Sequence, residues 1–212
     1  GGSSRWGDLA VTRWHEDPTR DGWGSFCYVR EVGSNQVWSA AFQPSLRLGA
    51  RYEAIFTQGR AEFRQRFGEI ELHTEIGVSP EDDLELRRLT LTNHGTVPRT
   101  LEITTYAEVV LAPAASDTAH PAFSNLFVQT EYDSARQALL CHRRARSQSE
   151  RPPWLVHVLN VHSPQAGEVS HETDRARFLG RGRTVNAPAA MEGPLSGTTG
   201  AVLDPIVSLR RT

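Results

Sequence analysis

The stretch "TRWHEDPTRDGW", Thr12 to Trp23, concentrates the residue types that do chemistry on sugars. Glu16, Asp17 and Asp21 are carboxylates, Arg13 and Arg20 are bidentate donors, and Trp14 and Trp23 offer flat apolar rings. A pyranose presents matching C–H faces and vicinal hydroxyls, so Trp14 and Trp23 with Asp17, Arg20 and Asp21 are candidate sugar contacts. Trp38 and Tyr28, inside apparent strands, read instead as core. A glycosidase needs two carboxylates about 5–10 Å apart across a cleft, and no spacing here selects such a pair. The acids are interleaved with Arg13 and Arg20, so an ion-pair network that holds a loop explains the same residues. Glu81, Asp82 and Asp83 read as a solvated hairpin tip.

A second cluster is "TDRARFLGRGR", Thr173 to Arg183. Its four arginines around Phe178 and Gly180 suit a phosphate or a sugar. The same residues also fit a short helical turn capped by Asp174 and ended by Gly180. Eight histidines are scattered without an HxH or HExxH pairing, which argues against a metal site. Anomerisation of an aldose would need a His acid and a Glu base on one concave face; His120, His157 and Glu108 are available, but no spacing selects them.

Composition narrows the classes. All 23 basic residues are Arg, against 25 acids and a net charge of -2. Without Lys there is no Schiff base for pyridoxal phosphate and no P-loop, so the run Gly193–Pro205 is not a nucleotide cradle. The charge balance carries no signature for nucleic acid or an anionic membrane. No run of 18 apolar residues spans a bilayer, and "GGSSRWGDL" is not a signal peptide. Residues 1–8 read as a linker or cloning remnant and 9–212 as one domain. Cys27 and Cys141, without CxxC spacing, read as two small buried thiols.

The elements that must position these residues show period-two alternation. In "EIELHTEIGV", Ile70, Leu72, Thr74, Ile76 and Val78 take one face and Glu69, Glu71, His73 and Glu75 the other. Similar strands read at 25–32, 36–40, 51–56, 60–67, 84–92, 99–111, 126–132, 138–143, 168–173 and 206–211. "WLVHVLNVH", 154–162, is nearly continuous in apolar residues and reads as a central strand covered on both faces. The alternation changes phase at Arg87-Arg88, which suggests a bulge. A dozen short strands, tight turns and no convincing amphipathic helix predict an all-β fold, a large antiparallel β-sandwich. Three segments break the pattern: Thr12–Trp23, Ala112–Asn125 and Asp174–Gly200. Long loops rich in aromatic and charged residues are more often functional than idle.

Several long motifs, in order, resemble one family: "TRWHEDPTRDGWGSFCYVREVGSNQVWSAAFQP", "SPEDDLELRRLTLTN", "TYAEVVLAPAASDTAHPAFSNLFVQTE", "TDRARFLGRGR" and "LSGTTGAVLDPI". They are similar to the C-terminal phosphorylase module of bacterial cyclic β-1,2-glucan synthases, grouped with cellobiose and chitobiose phosphorylases in glycoside hydrolase family 94. The resemblance runs from about Leu9 to Arg211. It implies a galactose-mutarotase-like supersandwich, which in the family precedes a helical linker and an (α/α)6 barrel. That barrel carries the catalytic Asp and uses inorganic phosphate as co-substrate. This chain ends at "SLRRT", so the resemblance implies a non-catalytic sandwich without a cofactor, lacking the barrel and leaving open whether the closing strand is present. It also implies as partners a β-glucan oligosaccharide, the barrel itself and a second copy in a homodimer, without direct membrane contact. A parent of this kind sits at the cytoplasmic side of the inner membrane. By resemblance, Arg175 reaches the sugar with Asp174 orienting it, and Asp17, Arg20, Asp21 and Trp23 belong to a signature "W..D.TRD.WG". A scaffold that only packs and dimerises is the alternative.

Overall fold

A computed structural model describes residues 2–145, 147–162 and 167–212. The chain opens with β1 (Arg5–Trp6), β2 (Leu9–Thr12), β3 (Ser25–Glu31) and β4 (Gln36–Ser39). Four strands then form a meander: β5 (Arg51–Thr57), β6 (Arg60–Phe67), β7 (Ile70–Val78) and β8 (Glu85–Asn93). The longest strand, β9 (Leu101–Pro113), runs into two short helices, α1 (Ala114–Ala119) and α2 (Pro121–Asn125). The last elements are β10 (Val128–Asp133), β11 (Ala138–Arg143), β12 (Trp154–Val158), β13 (Ser170–Asp174), α3 (Arg175–Leu179) and β14 (Pro205–Arg211). The strands form a seven-stranded, a four-stranded and a three-stranded sheet, and their named pairings are antiparallel. The all-β expectation holds.

β9 is the axis of the seven-stranded sheet. β14 lies along one edge, and β3 followed by β2 along the other. Because side chains alternate, β9 serves two cores at once. Tyr106 joins Phe26, Tyr28, Phe178 and Ile206 beneath the 175–195 segment. Ala107, Val109 and Leu111 pack against Val128, Leu139 and Cys141 of the three-stranded sheet. Ile103, with Val29 and Trp38, meets Ile70 and Leu72 of the four-stranded sheet. Two smaller sheets therefore cover one face of the large one, while a helix-and-loop segment covers the other. Neither cysteine is in a disulfide, and burial pushes both thiols up to about 12.

Three sequence expectations change. β12 is an edge strand rather than a central one, because Trp154, Val156 and Val158 are each more than half exposed. The strands buried on both faces are β9 and β14. β8 keeps an unbroken register with β7, without a bulge. Its alternation only looks broken, because Leu86 is exposed while Arg87 turns inward to donate to Ser25 O. Finally, part of the 1–8 segment belongs to the sheet: β1 pairs with β2, and Ser4 Oγ donates to Glu85 Oε2.

His157 joins two layers, its Nε2 lying 2.8 Å from Thr105 Oγ1 on β9. Burial, with Arg87 nearby, lowers its pKa from 6.5 to about 4. A folded-state pKa below the unfolded value means the stabilisation is complete above pH 6.5 and is lost as pH falls through about 4. Urea unfolding should therefore lose up to about 3 kcal/mol between pH 7 and pH 4 through this residue. His157→Gln should flatten that part of the profile; an unchanged slope would refute the assignment.

Candidate functional site

All three segments that break the alternation meet at one end of β9. β2 and β9 shift register by one between Ala10 and Thr12, opposite Leu111 at φ 51°. A bulge of this kind bends a strand and re-aims the residues beyond it. Here it carries Arg13 back over the sheet, where its backbone N–H donates to Glu108 O.

The Arg13 guanidinium is buried and saturated. Its Nε and Nη2 donate to the two oxygens of Asp117, both at 2.9 Å. Nη1 donates to Glu108 Oε2 at 2.9 Å and to Asp204 Oδ1 at 3.4 Å, and Nη2 also reaches Asn125 Oδ1 at 2.6 Å. Burial disfavours the charge on Arg13, but Asp117 and Glu108 outweigh it and hold its pKa above the ordinary arginine value.

Arg175 completes the cluster from the first turn of α3. Its Nε donates to Glu108 Oε1 at 2.7 Å and its Nη1 to Asp204 Oδ2 at 3.3 Å. Its backbone N–H donates to Asp204 O. Tyr106 donates its hydroxyl to Glu108 Oε1 at 2.8 Å. Glu108 thus lies between two guanidinium groups and a phenol. Asp204 has its pKa raised by burial and by Glu108, against the pull of Arg175 and Arg13. Arg13 and Glu108 are sealed, whereas about a third of the Arg175 and Asp204 side chains stays open to solvent. Two arginines face three carboxylates, a formal charge of -1. Within the described residues, the Nη2 of Arg175 makes no hydrogen bond.

The predicted residues divide sharply. Arg175 stands at the mouth of the cluster, but Asp174 does not orient it. Asp174 accepts from Ala176 N as the cap of α3, and Glu108 and Asp204 aim Arg175 instead. The helical turn ends at Gly180 as its sequence suggests, at φ 81°, where an added Cβ would meet Ala189 Cβ at 2.7 Å. Asp17 turns back onto Thr19 N and Oγ1, an Asx turn that lowers its pKa. Arg20 and Asp21 are exposed, and the Arg20 backbone N–H donates to Asp17 O, with its charge helping to lower the Asp17 pKa. Trp14, beside Arg13, is about half exposed. Trp23 is half-buried and meets His15 edge-on at 5.0 Å, with His15 Nε2 3.9 Å from Asp117 Oδ2.

A loop-holding ion network exists, but its acids are not the local ones. Asp117, Asn125 and Asp204 come from elements about a hundred to two hundred positions away along the chain, and sequence reasoning missed all three. For Asp117 and Asn125 the one signal is that their segment also breaks the alternation, whereas Asp204 lies between the last such segment and β14. The sequence marks Glu108 solely as a candidate base for anomerisation. It lies on the face of β9 opposite Thr105 and its partner His157, so Glu108 and His157 do not converge. His120 is exposed between α1 and α2.

The four-stranded sheet also gathers Glu62, His73 and Glu75, with ligand-type atoms within 4.8 Å of one another. No sequence spacing pointed to this group. Arg60 and Arg64 pair with Glu62, and Arg60 and Arg88 with Glu75. Three guanidinium groups around two carboxylates leave no negative charge for a cation to neutralise.

Removing one member of a buried ion network strands the others. Arg13→Met should therefore cost roughly 3–5 kcal/mol in urea unfolding. Glu16→Gln, exposed in the same stretch, should leave the midpoint unmoved. Equal effects of the two would sink the role given to Arg13.

The family described as "Glycosyl hydrolase 94, supersandwich domain" matches residues 1–212. The chain is 39% identical over 212 residues to the cyclic beta-(1,2)-glucan synthase NdvB of Rhizobium meliloti (strain 1021), covering 99% of this chain and 8% of that protein. It is 24% identical over 193 residues to the solabiose phosphorylase of Paenibacillus borealis, covering 90% of this chain and 24% of the relative. With the N,N'-diacetylchitobiose phosphorylase of Vibrio furnissii it shares 25% identity over 126 residues, 58% of this chain and 16% of that one. The chain thus spans a quarter or less of each of these relatives. With its central β9, its flanking sheets and a family match along its whole length, the chain belongs to the supersandwich domains of glycosyl hydrolase family 94.

Proposed function

We propose that this domain is a non-catalytic, carbohydrate-contacting sandwich of a β-1,2-glucan synthase or phosphorylase-like parent, in which Arg175 touches the glucan. The observation that carries this reading is the Arg175 guanidinium, anchored through Nε and Nη1 by Glu108 and Asp204 while about a third of the side chain stays open to solvent. A donor already fixed by two carboxylates loses little rotamer freedom on meeting a hydroxyl.

The charge at this mouth selects the ligand. A cluster of formal charge -1, with partly open Asp204 beside Arg175, repels phosphate but accepts hydroxyl protons from a neutral sugar. Inorganic phosphate is then a co-substrate handled elsewhere in the parent. Trp14, adjacent to Arg13, supplies a ring for stacking. Asp17, Arg20 and Asp21 shape the loop that presents it, and Asp174 contributes by starting α3.

The same end suits docking onto the parent's catalytic barrel. Exposed Phe123, Leu126 and Leu203 sit beside the cluster members Asn125 and Asp204 in sequence. This reverses the usual apolar core and polar rim of an interface, but interfaces between domains of one chain are more polar than obligate ones and tolerate such a charged centre. Among the described residues no helix is long and apolar enough to cross a membrane; attachment of the parent at the cytoplasmic face of the inner membrane is part of this proposal.

Titrating the chain with linear β-1,2-gluco-oligosaccharides should give saturable tryptophan quenching. Arg175→Ala should weaken it about tenfold or more, the scale of a hydrogen bond to a charged group. Phosphate alone should give no response. Quenching by sugar that survives Arg175→Ala unchanged would overturn the reading of this site.

A further inference from the structure

The outer face of the three-stranded sheet carries chemistry that the charge cluster does not use. Register sets Gln129, His142 and Trp154 side by side across β10, β11 and β12, with Glu131, Leu140 and Val156 in the next row. The His142 ring lies against the Trp154 indole, centroids 4.2 Å apart and planes 29° from parallel. His142 Nε2 is 3.6 Å from Glu131 Oε1. Trp154 nevertheless keeps 54% of its surface open, and Glu131 is similarly open. The opposite face of this sheet, with Leu139 and Cys141, packs on the seven-stranded sheet. The charge cluster sits beyond that sheet, on its far side with Tyr106 and Glu108.

We propose that this face is a second carbohydrate surface, where the Trp154 indole stacks on the C–H face of a pyranose in a β-glucan chain. Glu131 accepts protons from the sugar hydroxyls, and Gln129 both donates and accepts. An indole held flat by a neighbouring ring is ordered before the ligand arrives, which lowers the entropic cost of stacking. The width of the patch argues for a glycan over a protein. From Trp154 to Val158 the apolar strip is about 13 Å long, widened onto β11 by half-buried Leu140 beside Val156. The adjoining β10 positions on this face are Gln129, Glu131 and Asp133. A stable protein partner needs about 800 Å² per side, whereas a sugar ring needs a single indole. The choice of β-glucan as ligand rests on the function proposed above, although the residues are entirely separate. Two surfaces on one domain would hold a long glucan more tightly than a short one, through effective concentration.

Calorimetric titration with linear β-1,2-glucans tests this on the whole chain as wild type, Trp154→Ala, Trp154→Phe, Arg175→Ala and the Trp154→Ala/Arg175→Ala double variant. Arg175→Ala alone should retain measurable binding. Adding Trp154→Ala should weaken that remainder roughly threefold to tenfold, the scale of an aromatic contact, while Trp154→Phe alone should keep most of the wild-type affinity. Melting temperature and sedimentation of the two single Trp154 variants should stay unchanged. Equal affinity of Arg175→Ala and the double variant would overturn the proposal. So would absence of binding to wild type at millimolar sugar, or a change of oligomeric state in Trp154→Ala, which would make this face a protein interface. An effect of Trp154→Ala without one of Arg175→Ala would support this surface and remove sugar from the charge cluster; the reverse pattern would do the opposite.

Discussion

The buried guanidinium of Arg13 is the constraint on which this end of the domain depends. It has no solvent of its own, so every N–H must find a protein acceptor. It finds them on β9, on α1, on α2 and on the loop before β14. Those elements are remote in sequence, and one planar fork of donors fixes their relative positions. Glu108 passes that order to Arg175 through its second oxygen. The placement of Arg175 thus depends on a residue more than 160 positions earlier in the chain.

The other end of the same β9 face repeats the device with a different outcome. Glu102 accepts from Arg30 Nε and Nη2 and lies 3.3 Å from Arg210 Nε. Arg210 also donates to Gly193 O and Ala190 O, stitching the 189–193 loop to the sheet. Burial, partly offset by Glu102, lowers the pKa of Arg210, whereas the hydrogen bond to Glu102 raises that of Arg30. Two glutamates about 20 Å apart on β9 are therefore each bracketed by two arginines. Between them lies the aromatic cluster of Phe26, Tyr28, Tyr106 and Phe178. Buried ionic groups of this kind are poor sources of net stability, and their stronger effect is on which arrangement is allowed. The apolar cluster supplies the drive to cover this face, and the arginines fix the register of the covering loop.

The absence of Lys acquires structural meaning in this setting. Lys offers three donors at one point, whereas Arg13 uses a rigid fork to engage Asp117 bidentately while also reaching Glu108 and Asn125. A composition bias that favours Arg suits a sandwich whose loops are tied by planar charge pairs. It does not by itself explain which arginines are buried.

Strand positions and the short turn from Asp174 to Gly180 are legible in the sequence, because alternation and capping act between neighbours. So is the value of the three irregular segments, since the absence of alternation is itself local. The apolar run of β12 misleads because it reads the same whether a second layer covers one face or both. The break at Arg87 imitates a bulge because an inward-facing Arg cannot be told from a shifted strand without its acceptor, Ser25 O. Likewise, that the arginine of the opening stretch ignores Glu16, Asp17 and Asp21 for Asp117, Asn125 and Asp204 is a matter of folding alone. Charge pairs form through space, and a chain records only separation along itself. Local pattern and family likeness thus specify an all-β sandwich and the segments that matter. Which charges meet is settled by the packed fold, because desolvation forces each buried ion onto whichever partner the sheets bring within reach.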